Sequence, residues 1–489
     1  MTILAVDAGT TGVTALLVNS DGSVAARGYS EFEQHFPQPG WVEHQPEQIW
    51  QATLFAVRQA LELAGRTPGD VQAIGITNQR ETVAVWDRET LEAPTPAIVW
   101  QDRRTSQLLS DEKFESAGNW VREATGLPLD PYFSSSKLLW MKRNLPDVWA
   151  GVESGKYAVG TIDSYLIARI SGGAAHVTDT SNASRTQLFN LHSLEWDQRL
   201  LELFEVPRLA LPSVVSSWGR MADSSPEAFL GIAAPISGCA GDQQAALFGQ
   251  LCFETGDAKC TYGTGAFLLQ NTGSEVPITD EKLLATVAYT GPNGERAYAL
   301  EGSVFIAGAA VQWLRDGLGI ISKASEITEL AESVSSSDGV YFVPALSGLG
   351  APFWDPDVRG SLLGLTRGTN RGHIARATLE AIAFSVQALV DAMSASSGVA
   401  LKSLKTDGGA AANDLLMQTQ ANALGVEVSR PAMLDTTGLG AAYLAGLGVG
   451  IWKDKESLAA QVRQSFQPES QVSEQYQRWL AAVAAIQSW

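Results

Sequence analysis

Three short segments carry the groups that chemistry would need. The first, Asp7-Ala8-Gly9-Thr10-Thr11-Gly12, lies between two apolar runs of β type at 3–6 and 13–18. That layout reads as strand, tight turn, strand. Gly9 and Gly12 admit backbone angles that other residues avoid, so the turn's amides can converge on an anion as phosphate-binding nests do. Asp7 ends the first strand beside that spot and offers a carboxylate to a divalent cation. Amide donors next to a carboxylate suit nucleotide phosphate chemistry, although an ordinary glycine hairpin would look the same. In the second segment, Arg80 and Glu81 follow the strand-type run 71–76. Adjacent donor and acceptor fit a polyol's hydroxyls, or form a surface salt bridge worth under about 1 kcal/mol. In the third, Asp242 stands in Gly241-Asp242-Gln243-Gln244 ahead of an apolar helix start. It is either a helix cap or a base.

The elements that must position these groups follow from periodicity. A helix from Pro46 has Ile49, Trp50, Leu54, Val57 and Leu61 at helical spacing. Strand-type runs at 71–76, 83–86 and 97–100 alternate with helical segments, which implies an α/β domain. Near residue 250 the pattern starts again. Runs at 257–262 and 266–270 flank Gly263-Thr264-Gly265. A strand at 297–301, helices at 304–318 and 373–393, and a strand at 404–407 opening into Gly408–Asn413 complete it. Two related α/β halves, 1–248 and 249–489, are therefore expected, with a cleft between them.

Composition sets the outer limits. A chain of 489 residues exceeds the size of a single core. Hydrophobic residues at 45%, charged residues at 18% and a mean hydropathy near zero describe an ordinary globular protein. A formal charge of −19 argues against nucleic acid and anionic membranes as partners. No apolar stretch approaches the roughly 18 residues of a membrane span, and the apolar start belongs to the first strand rather than to a signal peptide. Cys239, Cys252 and Cys260 are spaced unlike a zinc site and read as reduced thiols of a cytoplasmic protein. Five scattered histidines give neither a histidine metal site nor a Ser-His-Asp triad.

Phosphoryl transfer would give the segments roles. The turns at 7–12 and 263–265 can hold phosphates through backbone amides, and the third, at 407–413, can let an adenosine lie against the chain. None matches the Walker phosphate loop or the dinucleotide fingerprint. Asp242 is the candidate base, a function worth about 10²–10⁴-fold in rate; in-line placement and charge balance supply most of the rest. Asp7 would organise Mg²⁺ through water. Neither phosphate turn contains Lys or Arg, so amides, Thr11, Thr264 and the metal would carry the anion.

Motifs along nearly the whole chain then point to one family. They include Trp41-Val42-Glu43-His44, Ile76-Thr77-Asn78-Gln79-Arg80-Glu81-Thr82 and Val99-Trp100-Gln101-Asp102-Arg103-Arg104, together with Gly160-Thr161-Ile162-Asp163-Ser164. Further on stand Gly241-Asp242-Gln243-Gln244-Ala245-Ala246, Thr261-Tyr262-Gly263-Thr264-Gly265, Gly348-Leu349-Gly350-Ala351-Pro352 and Asp407-Gly408-Gly409-Ala410; the stretch from Tyr132 to Asn144 is similar to a family signature. The chain resembles the FGGY carbohydrate kinases, in particular their glycerol branch. That resemblance implies two RNase-H-like domains of actin-like ATPase type closing on ATP and Mg²⁺. It implies a polyol site of Arg80, Glu81, Tyr132, Asp242 and Gln243, with Trp100 and Phe267 on the carbon backbone. It implies ATP phosphates at Thr10, Thr11 and Gly12 on one side and at Thr264 and Gly308 on the other, with Gln312, Gly409 and Asn413 lining the nucleotide site. Asp7 and Asp242 would face the metal.

Departures from the family pattern carry expectations as well. Many members have Gln after the first Asp and Ser-Ser-Arg after the two threonines, where this chain has Ala8 and Gly12-Val13-Thr14. The segment 226–235 contains no Lys or Arg, and no histidine lies between His192 and His373, so regulation by fructose bisphosphate or by histidine phosphorylation is not expected. Glycerol and ATP are the expected partners. A kinase for another polyol or a keto-sugar, an actin-like ATPase without a small acceptor, and a non-catalytic sensor are the rivals; a homo-oligomer, dimer or tetramer, is left open.

Overall fold

Each half of the chain begins with a hairpin, and each hairpin founds a sheet. The computed structural model describes residues 1–279, 282–433, 435–458 and 463–489. In the first lobe β1 (Thr2–Ala8) pairs antiparallel with β2 (Gly12–Asn19), and β2 with β3 (Val24–Glu31). On the other side of β1 lie β4 (Val71–Asn78) and then β6 (Pro235–Gly241), both parallel, with β5 (Trp218–Asp223) antiparallel at the edge. The order is β5-β6-β4-β1-β2-β3. The apolar runs at 3–6 and 13–18 become two almost fully buried strands, because this sheet is covered on both faces.

The second lobe repeats the plan. Strands β7 (Asp257–Tyr262), β8 (Ala266–Gly273), β9 (Leu284–Thr290), β10 (Arg296–Val304), β11 (Ser403–Asp407), β12 (Glu427–Pro431) and β13 (Arg463–Phe466) are ordered β9-β10-β8-β7-β11-β12-β13. Hairpin β7–β8 corresponds to β1–β2, and parallel β11 corresponds to β4. The duplication is one of topology, with a single added edge strand. This is the two-lobed α/β arrangement expected from the sequence.

Helix α1 (Pro46–Ala64) covers the outer face of the first sheet, entered through Pro46 and ended by left-handed Gly65. Helix α2 (Asp242–Gly249) follows β6 directly, α3 (Gly308–Asp316) follows β10, and the long α4 (Arg371–Ser397) backs the second sheet. Helix α5 (Thr436–Gly448) belongs to the second half by sequence but packs on β1, β4 and β6 of the first lobe. Small residues make that possible. A methyl group on Gly75 would stand 2.1 Å from the Ala441 carbonyl oxygen, and one on Gly440 would stand 1.8 Å from that of Ala245. Backbone therefore lies against backbone, and α2 and α5 are held between the lobes.

Two of the expected strands have a different home. Val83–Asp87 and Ala97–Ile98 join Glu43–His44 and Tyr157–Thr161 in a separate four-stranded sheet. The second of them stops two residues early: Val99 stays buried with its amide on the Val42 carbonyl, and Trp100 lines a cavity.

Candidate active site

The parallel strands β1, β4 and β6 end side by side, and each delivers one of the predicted groups. Asp7 pairs in register with Thr77, and Asn78 with Gly241. The chain then continues from Asn78 into Gln79-Arg80-Glu81 and from Gly241 into Asp242. Clefts at the carboxyl ends of parallel strands are the usual ligand positions in open α/β sheets. Asp242 is the first residue inside α2, and Gly241 holds the cap position. Its Oδ1 accepts from the Gln243 amide at 2.7 Å and lies 3.2 Å from Arg80 Nε. Its side chain is 29% exposed, so the carboxylate still opens on the cleft.

Arg80 and Glu81 are neighbours in sequence and are both buried, so they do not form a surface salt bridge. They approach only to 4.0 Å, and each has another partner. Arg80 gives Nη1 and Nη2 to Glu301 of β10 at 2.5 and 2.9 Å, a bidentate contact from one lobe to the other. Glu81 accepts from Arg185 Nε at 2.7 Å, and Arg185 Nη2 lies 3.4 Å from Glu301. Two arginines and two glutamates thus alternate in a buried ring. Arg80 needs room for its stem: a methyl group on Gly241 would stand 2.7 Å from its Cγ and Cδ. Glu81 is held at φ 61, in the left-handed region that only a few non-glycine residues occupy. Ser134 donates to its carbonyl at 2.9 Å and helps hold it there.

Charge in the ring is balanced unevenly. Burial works against every ionised member, yet the Arg185 and Arg80 guanidiniums pull Glu301 down to about 2. Burial pushes Glu81 and Asp242 upward, with the neighbouring cations opposing it only in part. Asp7 is raised to about 8, first by burial and then by the negative charges of Asp242 and Asp435. Asp7 and Asp242 therefore share one electrostatic pocket. Two hard oxygen donors with surplus negative charge are what a small divalent cation accepts, so the residues present fit Mg²⁺.

Two cavities hold most of the other expected residues; Asp7, Arg80, Glu81, Asp242 and Gln243 line neither, and Glu301 lines the second. One, of about 560 Å³, is walled by Thr264, Gly308, Gln312, Gly409 and Asn413, the residues expected at the nucleotide, together with Tyr262. Gly308 and Ala309 donate their amides to the Gly263 and Thr264 carbonyls at 3.0 Å, which fastens the second glycine turn to the start of α3. The other, of about 590 Å³, is lined by Trp100, Tyr132, Phe133, Phe267, Trp354 and Glu301. Trp100 and Tyr132 meet edge to face at 5.5 Å, and the Trp100 indole donates to Thr10 Oγ1 at 3.0 Å, so the aromatic wall is tied to the first hairpin. Thr10, Thr11 and Gly12 themselves line neither cavity. Gln243 receives a hydrogen bond from Lys259 of the second lobe.

Several participants are not among the expected site residues. Glu301 and Arg185 complete the ring, and Lys259 supports Gln243. Lys137 is fully buried and donates to the carbonyls of Pro131, Tyr132 and Phe133 at 2.5, 2.9 and 3.2 Å, clamping the turn that carries Tyr132. Burial lowers its ammonium to about 7. Gln79 is likewise an internal strut: its amide nitrogen donates to the Gly9 carbonyl at 3.1 Å and its oxygen accepts from Thr82. A conspicuous Asn-Gln-Arg-Glu string therefore divides its work between ligand-facing and supporting residues.

Known proteins resemble this chain over its full length. Residues 2–249 match the N-terminal domain, and 258–449 the C-terminal domain, of the FGGY family of carbohydrate kinases. The chain is 51% identical to a glycerol kinase of Aromatoleum aromaticum, covering 100% of this chain and 99% of that protein. It is 50% identical to a glycerol kinase of Deinococcus radiodurans over 100% and 98% of the two chains. Among solved structures, the Plasmodium falciparum glycerol kinase with ADP superposes with a TM-score of 0.93 at 34% identity, over 99% and 98% of the two chains. Duplicated lobes, a carboxylate-bearing floor and matches through both halves lead to one assignment: the chain belongs to the FGGY family of carbohydrate kinases.

Proposed function

We propose that this chain transfers the γ-phosphoryl group of ATP to a terminal hydroxyl of glycerol, giving sn-glycerol 3-phosphate and ADP. The observation that carries this reading is the grouping of Asp7, Asp242 and the Arg80–Glu301 contact, with Glu301 also lining the aromatic-walled cavity and a small-residue cavity formed at the second glycine turn. Relatives named glycerol kinase at about half identity over the whole chain support the substrate, and the ADP-bound neighbour supports the nucleotide.

On this reading Asp242 accepts the proton of the attacking hydroxyl. Burial has raised its basicity toward the working pH, which favours that role. Arg80, Glu81, Tyr132 and Gln243 hold the hydroxyls, while Trp100 and Phe267 cover the carbon chain. A polyol lacking one hydroxyl leaves a polar group of this floor unpaired, which penalises the wrong substrate. The amides of Thr10, Thr11 and Gly12 face the phosphates from the first lobe, Thr264 and Gly308 from the second, and Gln312, Gly409 and Asn413 line the nucleoside. Asp7 and Asp242 would hold Mg²⁺, which would supply charge neutralisation at the phosphates. The first domain, 1–248, then provides polyol and phosphate contacts, and the second, 249–489, the nucleotide. No helix among the described residues is long and apolar enough to cross a membrane, and the three buried thiols are unpaired. Reduced thiols and dependence on ATP fit the cytoplasm.

A coupled assay of ADP release with and without glycerol tests the reading. Turnover is expected only with glycerol, and a higher kcat/KM for erythritol or xylulose would transfer the assignment to another substrate. Asp7 provides a second test. A carboxyl whose folded pKa lies above its unfolded value is fully compatible with the fold only while protonated, so folding stability declines as pH rises from about 4 to about 8. Asp7→Asn is expected to raise the melting temperature of the ligand-free protein at pH 8 more than at pH 5, while Mg²⁺-dependent turnover falls. Thermal melts at the two pH values and a Mg²⁺ titration of rate read both effects.

A further inference from the structure

We propose that Arg27, reaching across from β3, is the side-chain cation that receives the nucleotide's polyphosphate at the first hairpin. This rests on the nucleotide reading above and names a residue that the hairpin itself does not contain. Neither glycine turn carries Lys or Arg, yet a di- or triphosphate brings several negative charges into a cleft that already holds Asp7 and Asp242. Balancing charge at the phosphates is the main electrostatic task of phosphoryl transfer.

The register shows how Arg27 gets there. Asp7 pairs with Thr14 across β1–β2, Thr14 pairs with Tyr29 across β2–β3, and Arg27 lies two residues from Tyr29. With a side-chain period of two, all four project from the same face of the sheet. The Arg27 guanidinium leans back toward the hairpin tip, with Nη2 3.3 Å from Thr14 Oγ1 and its Cζ 5.2 Å from the Tyr29 ring centroid. Its positive charge reaches Asp7 and partly offsets the rise of that carboxyl.

Other cations near the floor are committed. Arg80 spends both terminal nitrogens on Glu301, Arg185 serves Glu81 and Glu301, and Lys259 bonds Gln243 and Thr261. Arg27 differs. Among the described residues its one ion partner is Asp435, at 3.3 Å, through side chains that are 45% and 39% exposed. Such pairs are weak in water, whereas a guanidinium fork binds phosphate oxygens bidentately. A polyphosphate at the hairpin therefore outcompetes Asp435 for the same nitrogens.

The test is calorimetric titration of the full chain with ADP and, separately, with adenosine. Arg27→Ala is expected to weaken ADP about tenfold or more and to leave adenosine unchanged. Because Thr14 Oγ1 already touches the guanidinium, Thr14→Arg placed in the Arg27→Ala background should return most of the lost ADP affinity. Should Arg27→Ala not fold, Arg27→Gln is measured with the same expectations. Equal ADP affinity in variant and wild type, or equal losses for ADP and adenosine, would overturn the assignment of Arg27 alone. A wild-type protein that does not bind ADP would overturn the nucleotide reading as well.

Discussion

Asp242→Asn is expected to lower kcat by about 10²-fold or more while nucleotide affinity stays near that of the wild type. The substitution preserves size, position at the start of α2 and an oxygen able to accept from the Gln243 amide and to face Arg80. It removes the negative charge, and with it the capacity to take a proton and to face a metal ion or Arg80 as an anion. Losing turnover without losing ADP affinity is the mark of an interaction made in the transition state rather than the ground state. Steady-state rates at saturating glycerol and calorimetric ADP affinities measure the two quantities. A near-normal kcat in a folded variant removes Asp242 from proton transfer. The pH profile gives a second reading. Burial raises the Asp242 carboxyl, so its ionised, basic form increases with pH, and the wild-type rate should climb along an acidic limb that the variant lacks.

Glu301→Gln should have the largest effect of any substitution outside the predicted site residues. Among the described residues its carboxylate is the only anion held bidentately by Arg80, and it also balances Arg185. Without it two buried guanidiniums share Glu81, and breaking one partner of a buried ionic group costs about 3–5 kcal/mol. Arg80 would also lose the orientation that brings its Nε to Asp242. A displacement of that kind, even by about 1 Å, can cost about 10²-fold in catalysis, so polyol kcat/KM should fall together with stability. The wild-type protein should show the linkage in acid. Glu301 titrates near 2 in the fold and in the ordinary carboxylate range when unfolded, so its contribution is complete above about pH 4.5 and is lost as pH falls toward 2. The variant should lose less stability over that window. Denaturant titrations at pH 6 and pH 3 compare the two proteins. Unchanged stability and unchanged polyol kinetics in Glu301→Gln would show that Arg80 is positioned by something else.

These two residues also mark the boundary between what was legible in the chain and what was not. Local pattern was enough for the hairpins. Apolar runs joined by a short turn of small residues mark the two strands of each hairpin, and the strand expected at 257–262 spans those residues in the structure. Local pattern also sufficed for α1, for the long α4 and for the restart near residue 250, because each is set by periodicity within about twenty residues. Asp7, Asp242, Arg80 and Glu81 could be selected because each stands at the end of an element beside small residues, where a polar side chain has room to face a ligand.

Glu301 offers no such signal. It sits in a strand at a position that sequence alone reads as ordinary, and its partner Arg80 lies 221 residues away. Whether that carboxylate is solvated or buried depends on the opposite lobe, and therefore on packing. The same holds for Arg185, for the Lys137 clamp, and for α5, which is apolar all round and joins the sheet of the other lobe. Arg27 is an exposed strand residue until the register sets it beside Thr14. The sequence by itself determined the strands, the turns and the types of reactive group. Tertiary structure alone decided which charges neutralise one another, because electrostatic partnership depends on distance and burial, and neither is encoded within a local window of the chain.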